Sequence, residues 1–409
     1  MQIETTFPKI NLISPEIRAN PYPTYKMLRD NFPVFSTRIP LFGDAWLITR
    51  YEDVQNMLSD PRLVSDRRNI DGKQGDESPW WMPNVFEAMQ DGMITRDEPD
   101  HRRLRKLVHL AFTPKRVAQL ETRMQEITDE LLDNAQKQNH VDLLEAFALQ
   151  LPLIVISDML GVPEKDRHNF HVWSAKFIDS VGGSPLRMLT AIPSANKMFK
   201  FFDYLIDLRT KKPGDDMTTA MLQAEVEGDR LTREEVISML FLLYVAGHET
   251  TVNLIASGTL ALLETPDAFH ALRENPDLFD PAVEEIIRYA NPVEQIAPRF
   301  AKEDFVFHGQ RIERGKVVLI SVASANRDER VFDNPDTFDI YRSPNRHLGF
   351  GYGIHYCLGA PLARLEGKVA LQTLLTRFPN LRLAVPPEKL SWRSAINVRG
   401  VKRLPVIMN

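Results

Sequence analysis

Cysteine is almost missing from this chain: Cys357 is the only one in 409 residues. An intrachain disulfide is therefore impossible, and cysteine-rich zinc frameworks are excluded with it. Positive charge is not in excess either, since 50 Lys and Arg face 55 Asp and Glu for a formal net charge of −5. Nucleic acid is thus not expected as a partner, because proteins that bind it normally carry a basic face. Long apolar runs are also lacking, and the stretch 239–247 falls far short of the roughly 20 residues that span a bilayer. The opening residues Met1 to Pro8 have no basic start followed by an apolar run, the pattern of a signal peptide. A cytoplasmic protein with no membrane anchor is the expectation. Gly/Ser linkers, repeats and low-complexity tracts are missing as well, and the 28 prolines are scattered. One domain over residues 1–409 is expected, although length alone suggests one per roughly 150 residues.

What is present is an ordinary globular composition, 43% hydrophobic and 26% charged. The runs 34–39 and 45–50 read as strands around the turn formers Gly43 and Asp44. Between Pro99 and Arg288, apolar residues recur at helical spacing and predict helices over 100–111, 114–137, 143–159, 163–179 and 194–210. Pro152 is expected to kink or restart the third of these. Thr232-Arg233-Glu234-Glu235 is a capping box, in which threonine and glutamate satisfy each other's backbone N–H groups. It opens a helix that Pro266 stops, about 33 residues or on the order of 50 Å long. Strands return at 305–308, 311–313 and 317–321, so the fold class is mainly α with a minor, segregated β-sheet. Residues 66–90 read as an irregular loop long enough to be a lid or binding loop, with Trp80, Trp81 and Met82 as its apolar surface.

The chemistry starts at Cys357. Gly349, Gly351 and Gly353 precede it, Gly359 follows it, and a helix can begin directly afterwards. Glycines permit close backbone approach and turns that aim N–H groups at one point. A sulfur at such a helix start is favoured as thiolate. Thiolate is the form that ligates iron, and beneath a haem it pushes electron density toward O–O cleavage. A buried structural cysteine is the commoner fate of a lone thiol, but it leaves the glycine frame unexplained. A second polar run, Ala246-Gly247-His248-Glu249-Thr250-Thr251, interrupts the long apolar helix. A buried carboxylate there costs several kcal/mol unless paired or neutralised, which demands a reason. Small Ala246 and Gly247 let a flat ligand approach the backbone, and Glu249 with Thr250 can then relay protons beside it. The alternative is a helix kink whose threonine hydroxyls bond back to the helix.

The segment around Cys357 resembles the haem-binding loop of the cytochrome P450 family, Phe-x-x-Gly-x-x-x-Cys-x-Gly, at Phe350, Gly353, Cys357 and Gly359. Ala246, Gly247, Glu249 and Thr250 are similar to the family's Ala/Gly-Gly-x-Asp/Glu-Thr. Glu285 and Arg288 match its Glu-x-x-Arg, and Pro335, Phe338 and Arg342 its Pro-x-x-Phe-x-x-x-Arg. The resemblance implies a P450-like fold and a soluble bacterial monooxygenase holding haem b (iron protoporphyrin IX), with Cys357 on the metal. Cofactor contacts are implied at His101, Arg105, Ala246, Arg299, Phe350, His355 and Gly359, where His101, Arg105, Arg299 and His355 face the haem propionates. Glu249 and Thr250 are implied as catalytic, helping deliver protons to O2, while Glu285, Arg288 and Arg342 form a structural network. Substrate contacts are implied at Trp80, Trp81, Met82, Leu243, Val293, Ile296, Ala395 and Ile396, with Glu294, Gln295 and Asn397 as orienting groups. A largely apolar pocket fits a medium-sized lipophilic molecule, and relatives with the Ala-Gly-His-Glu-Thr-Thr version oxidise polyketides, among others. No flavin- or iron–sulfur-binding segment is seen in the chain, so electrons are expected from a separate ferredoxin or flavodoxin and its reductase. Arg102, Arg103 and Lys106 are candidates to meet it. Two alternatives carry other expectations: a peroxide-driven fatty-acid peroxygenase, whose relatives typically replace the acid–alcohol pair by Arg-Pro, and a non-catalytic haem-binding protein.

Overall fold

A computed structural model of the protein describes residues 7–39, 43–71, 92–180, 185–395 and 397–409. Two short helices, α1 (Pro15–Ala19) and α2 (Tyr22–Asn31), lead into the hairpin β1 (Val34–Ile39) and β2 (Gly43–Ile48). Then come α3 (Tyr51–Met57), β3 (Leu63–Val64) and the single turn α4 (Arg68–Asp71). The part of the expected loop that is described is therefore not irregular; Trp80, Trp81 and Met82 lie outside the described residues. The helical half contains α5 (Asp100–Ala111), α6 (Pro114–Ala135), β4 (His140–Asp142), α7 (Gln150–Leu160), α8 (Glu164–Ser180), α9 (Pro185–Lys211) and α10 (Met217–Gln223). The third predicted helix is divided by a π-helical segment at Leu144–Ala148. The break thus precedes Pro152, which sits in the first turn of α7, where a missing N–H costs nothing.

After a small hairpin, β5 (Glu225–Val226) and β6 (Asp229–Arg230), comes α11 (Arg233–Leu263). Both halves of the capping box form: Thr232 Oγ1 accepts from the Glu235 N–H at 3.2 Å, and a Glu235 carboxylate oxygen accepts from the Thr232 N–H at 2.9 Å. By length and apolarity α11 meets the measure of a membrane span, yet most of it is buried inside the protein as the central core helix. It packs against α7 and the two helices α13 (Phe279–Ala290) and α15 (Ala360–Arg377), which follow α12 (Pro266–Glu274) and α14 (Val322–Ala325) in the chain order.

The remaining strands are β7 (Arg299–Ala301), β8 (Phe305–Phe307), β9 (Gln310–Ile312), β10 (Val317–Ile320), β11 (Arg382–Leu383) and β12 (Pro405–Ile407). A five-stranded sheet runs β1-β2-β10-β7-β3, and a three-stranded one runs β11-β12-β4. The larger sheet is covered on both faces, since alternate residues enter two apolar clusters, one with Ile48, Val318 and Ile320, the other with Leu47, Val317 and Leu319. Its register sets Val64 opposite Phe300, which brings Ser65 alongside Arg299. In the C-terminal segment Trp392 bridges Val401, and Val398 bridges Val293, so its tip lies beside the loop after α13.

Candidate active site

The loop 349–359 is held by its own backbone and by α13. The Cys357 N–H donates to the Phe350 carbonyl at 2.9 Å, and Gly351 and Gly353 take φ of +73° and +71°. Glycine at 353 is required twice over, because a Cβ there would also lie 2.9 Å from Ser59 Oγ. The Phe350 ring is clamped by Arg364, whose guanidinium carbon sits 4.5 Å from its centroid. Arg364 in turn bonds Glu284 on α13 at 2.6 and 3.0 Å, and His347 meets the same carboxylate at 3.0 Å. Burial would raise Glu284, but His347 and Arg364 hold its carboxyl down at about 2. Cys357 stands just before α15. Burial pushes its thiol up, against the N–H groups of Gly359 and Ala360 and the charges of Arg105 and Arg364. The expected thiolate bias of the helix start is thus present but smaller than desolvation; a metal ion held by the sulfur would supply the balance.

Beside this loop lies a cluster of basic side chains. The His101 and His355 rings are 4.3 Å apart, and Ser65 Oγ links His355 Nε2, at 3.3 Å, to the Arg299 guanidinium. Among the described residues, none of these three groups forms an ion pair, and His101 Nδ1 is buried without a partner. Burial, then Arg299, His101 and Arg105, push His355 down to about 2; burial also lowers His101 and brings Arg299 to about 10. Arg105 donates to the Tyr356 carbonyl at 2.8 Å, which ties α5 to the cysteine loop. At neutral pH the two imidazoles are therefore neutral and Arg299 is the buried cation, with Asp97 as the acidic neighbour acting on it; a carboxylate of a ligand would offset the cost of burying that charge.

Across from it, α11 opens. Its residues are buried almost throughout from Val236 to Leu262, yet Ala246 is exposed and Gly247, Glu249 and Thr250 are half-buried. His248 turns the other way, stacked on Tyr244 with 6.0 Å between ring centroids. Thr250 donates its hydroxyl to the Ala246 carbonyl at 2.7 Å, and Thr251 bonds Gly247 in the same way at 3.0 Å. The helix-bonded alternative is therefore present too, and in this state Thr250 offers lone pairs to its surroundings rather than a proton. Burial raises the Glu249 carboxyl, opposed by Arg393, whose Nη1 donates to it at 3.2 Å.

Of the expected substrate contacts, Leu243, Val293, Ile296 and Ala395 are half-buried, and Ile396 lies outside the described residues. The backbone brings them together: the N–H groups of Glu294 and Gln295 both donate to the Asn397 carbonyl, at 2.9 and 3.3 Å. Glu294 is not available as an orienting group, because Arg18 pairs with it and Tyr25 donates to it at 2.5 Å. Arg103 is likewise taken, by Asp229 at 2.7 Å and Glu235 at 2.6 Å, and Arg102 pairs with Glu98 at 2.9 Å.

The family model for Cytochrome P450 matches residues 188–395. "Polyketide biosynthesis cytochrome P450 PksS" of Bacillus subtilis (strain 168) is 43% identical over 403 residues, spanning 96% of this chain and 97% of that protein. The chain belongs to the cytochrome P450 family. This P450 is also 39% identical to the "Mycinamicin IV hydroxylase/epoxidase" of Micromonospora griseorubida, over 94% of each chain. The solved structure of PksS from Bacillus subtilis 168 superposes with a TM-score of 0.91 at 40% identity, covering 98% of this chain and 100% of that one. Cytochrome P450s are monooxygenases that bind haem, use O2 and redox partners and take lipophilic substrates, so this chain is an oxidoreductase with haem as its cofactor. The residues fit that group: Arg299 with the donors of His101, His355 and Arg105 suits its two carboxylates, the turn of α11 at exposed Ala246 suits a flat ring, and Cys357 is a sulfur donor.

Several residues described here carry no functional signal in the sequence, among them Arg393, Arg364, Glu284 and Ser65. Ser65, which bridges Arg299 and His355, follows a two-residue strand and carries no local signal. Glu366 on α15 is 2% exposed, and burial pushes its carboxyl up to about 8, with the Thr251 hydroxyl opposing. A lone glutamate in an otherwise mixed helix looks like a solvated one.

Proposed function

We propose that this P450 inserts one oxygen atom into a C–H bond or alkene of a medium-sized lipophilic substrate of polyketide type. A relative named for polyketide biosynthesis and another named as a hydroxylase/epoxidase support the substrate class and the two outcomes. The observation that carries the reading is the cluster His101–His355–Arg299, three basic side chains without an ion pair among the described residues, set beside the only cysteine.

In this reading Cys357 holds the iron, and His101, Arg105, Arg299 and His355 bind the haem carboxylates as charge-assisted donors. Phe350 covers the sulfur side, steadied by Arg364. Gly359 starts α15 there, and Ala246 forms the opposite wall. Haem, when bound, supplies the activation of O2 and the oxygen transfer. Glu249 takes protons from the solvent side and Thr250 orients their last hop by accepting a hydrogen bond. Leu243, Val293, Ile296 and Ala395, together with Trp80, Trp81, Met82 and Ile396, exclude water around the substrate. A single domain in the cytoplasm receives electrons from a separate ferredoxin or flavodoxin and its reductase. Lys106, exposed on α5, is one contact for that partner.

The test is spectral and then catalytic. The reduced, carbon monoxide-treated holoprotein is expected to show the red-shifted Soret band of thiolate ligation, and Cys357→His to lose it. A panel of polyketide lactones, fatty acids and terpenoids, screened for spin-state shifts, is expected to rank the lactones first. Turnover with NADPH and a surrogate ferredoxin pair is expected to exceed turnover with peroxide alone. An unchanged spectrum in Cys357→His, or turnover with peroxide only, overturns the proposal.

A further inference from the structure

Glu249 does not stand alone at its turn of α11. Its ion pair among the described residues crosses to the C-terminal segment, where the Arg393 guanidinium lies 3.2 Å from its carboxylate, with the two side chains only 26% and 22% exposed. Arg393 is itself on a pinned element. Its N–H donates to the Gly400 carbonyl at 3.0 Å, and its carbonyl accepts from Arg18 Nε at 3.2 Å. Arg18 also donates to the Val398 carbonyl at 3.0 Å, and Arg399 packs 3.9 Å over the Trp392 ring. The base of this hairpin is thus anchored to α1. Its far side, Asn397 and Val398, bonds to the loop 293–295, which together with Ala395 we read as substrate wall.

We infer that Arg393 is a positioning residue of the proton relay: it fixes the Glu249 carboxylate to the C-terminal hairpin, so that filling the pocket against that hairpin and delivering protons from α11 are coupled. The inference rests on the reading of Glu249 as the relay acid. Its physical basis is simple. A half-buried carboxylate on a helix has several rotamers, and a guanidinium N–H from a second, pinned segment selects one of them. Burial favours the neutral acid, and the facing cation opposes that preference. Because the cation belongs to a segment that touches the pocket wall, a ligand that moves the hairpin moves the acid.

The test uses the haem-loaded enzyme with NADPH, a surrogate ferredoxin and reductase, and myristic acid as the lipophilic probe. The readout is hydrogen peroxide released per NADPH oxidised, which rises when protons arrive late. Hydrogen exchange of residues 391–401 is followed in parallel. Glu249→Gln and Arg393→Gln are each expected to raise peroxide release severalfold and to speed exchange in 391–401. Arg393→Lys is expected to recover part of both, Glu249→Gln/Arg393→Gln to match Glu249→Gln alone, and the exposed neighbour Lys402→Gln to behave as wild type. If Glu249→Gln leaks peroxide while Arg393→Gln does not, the inference falls and the relay reading stands. If Glu249→Gln does not leak, the relay reading falls and takes the inference with it. Additive effects in the double variant mark Arg393 as merely structural and also overturn the inference.

Discussion

Two buried clusters of charge flank the cysteine loop, and they are built on opposite terms. Behind the loop, Glu285 and Arg288 are both fully buried and bonded twice to each other at 2.7 Å. Every remaining valence is used: Arg288 also reaches the carbonyls of Asn326, Pro335 and Thr337, and Glu285 accepts from Arg342, Asn345 and the Asp339 N–H. In front of the loop, Arg299 and His355 share the Ser65 hydroxyl, His101 packs against His355, and none of the three pairs with a carboxylate among the described residues. The first cluster is complete within the protein and holds the fold. The second is incomplete within the protein and therefore describes a ligand. A buried ion pair by itself says little about function, whereas a buried arginine set among imidazoles with no ion pair says a good deal.

This contrast can be broken from either side. The largest effect is expected at the complete cluster: Arg288→Ala takes the fully buried partner from Glu285, leaves only Arg342 as its counter-charge and removes a donor from three backbone carbonyls, which costs about 3–5 kcal/mol. Urea unfolding is expected to show that loss with haem or without it. At the incomplete cluster the sign depends on the ligand. Arg299→Leu is expected to leave the haem-free chain at least as stable as wild type, because an uncompensated cation is gone. The same variant is expected to release haem faster, by the roughly 1.5–3 kcal/mol of a charged hydrogen bond, or about ten- to a hundredfold. Equal destabilisation with and without haem in a thermal scan would refute this. Smaller again is the effect of altering the ligand: haem dimethyl ester, with no free carboxylates, is expected to bind wild type about tenfold more weakly than haem and Arg299→Leu with little discrimination.

The most pH-specific effect belongs to Glu366. Its folded value of about 8 exceeds the ordinary 4.5, so its contribution to stability is fully present below about pH 4.5 and is lost as pH rises through about 8. Glu366→Gln removes that dependence. The melting temperature of the variant is expected to gain on wild type steadily across this window, and a constant difference would show that the carboxyl ionises normally.

Much of this was legible beforehand. The capping box placed the start of α11 to the residue, and the periodicity of 100–111 gave α5 its observed bounds. Glycines around one cysteine marked the loop, because turns at positive φ and close contacts leave little choice of residue there. Other features were hidden for a physical reason. Glu294 looked like a polar group for substrate, and only the docking of α1 and α2 shows Arg18 and Tyr25 already upon it. Arg103 looked free for a partner until the β5–β6 hairpin closed on it. Pairings across 276 or 126 residues of chain leave no trace in local spacing.

Local chemistry along the chain thus determined which elements form, where α11 begins, and that residues 349–359 wrap a sulfur, because capping, periodicity and glycine demand act over a few residues. Which charges are consumed and which are left waiting was decided only by the packed molecule. Charge compensation depends on what lies within a few ångströms in space, and at 3.2 Å from Glu249 that proved to be Arg393, 144 residues further along the chain.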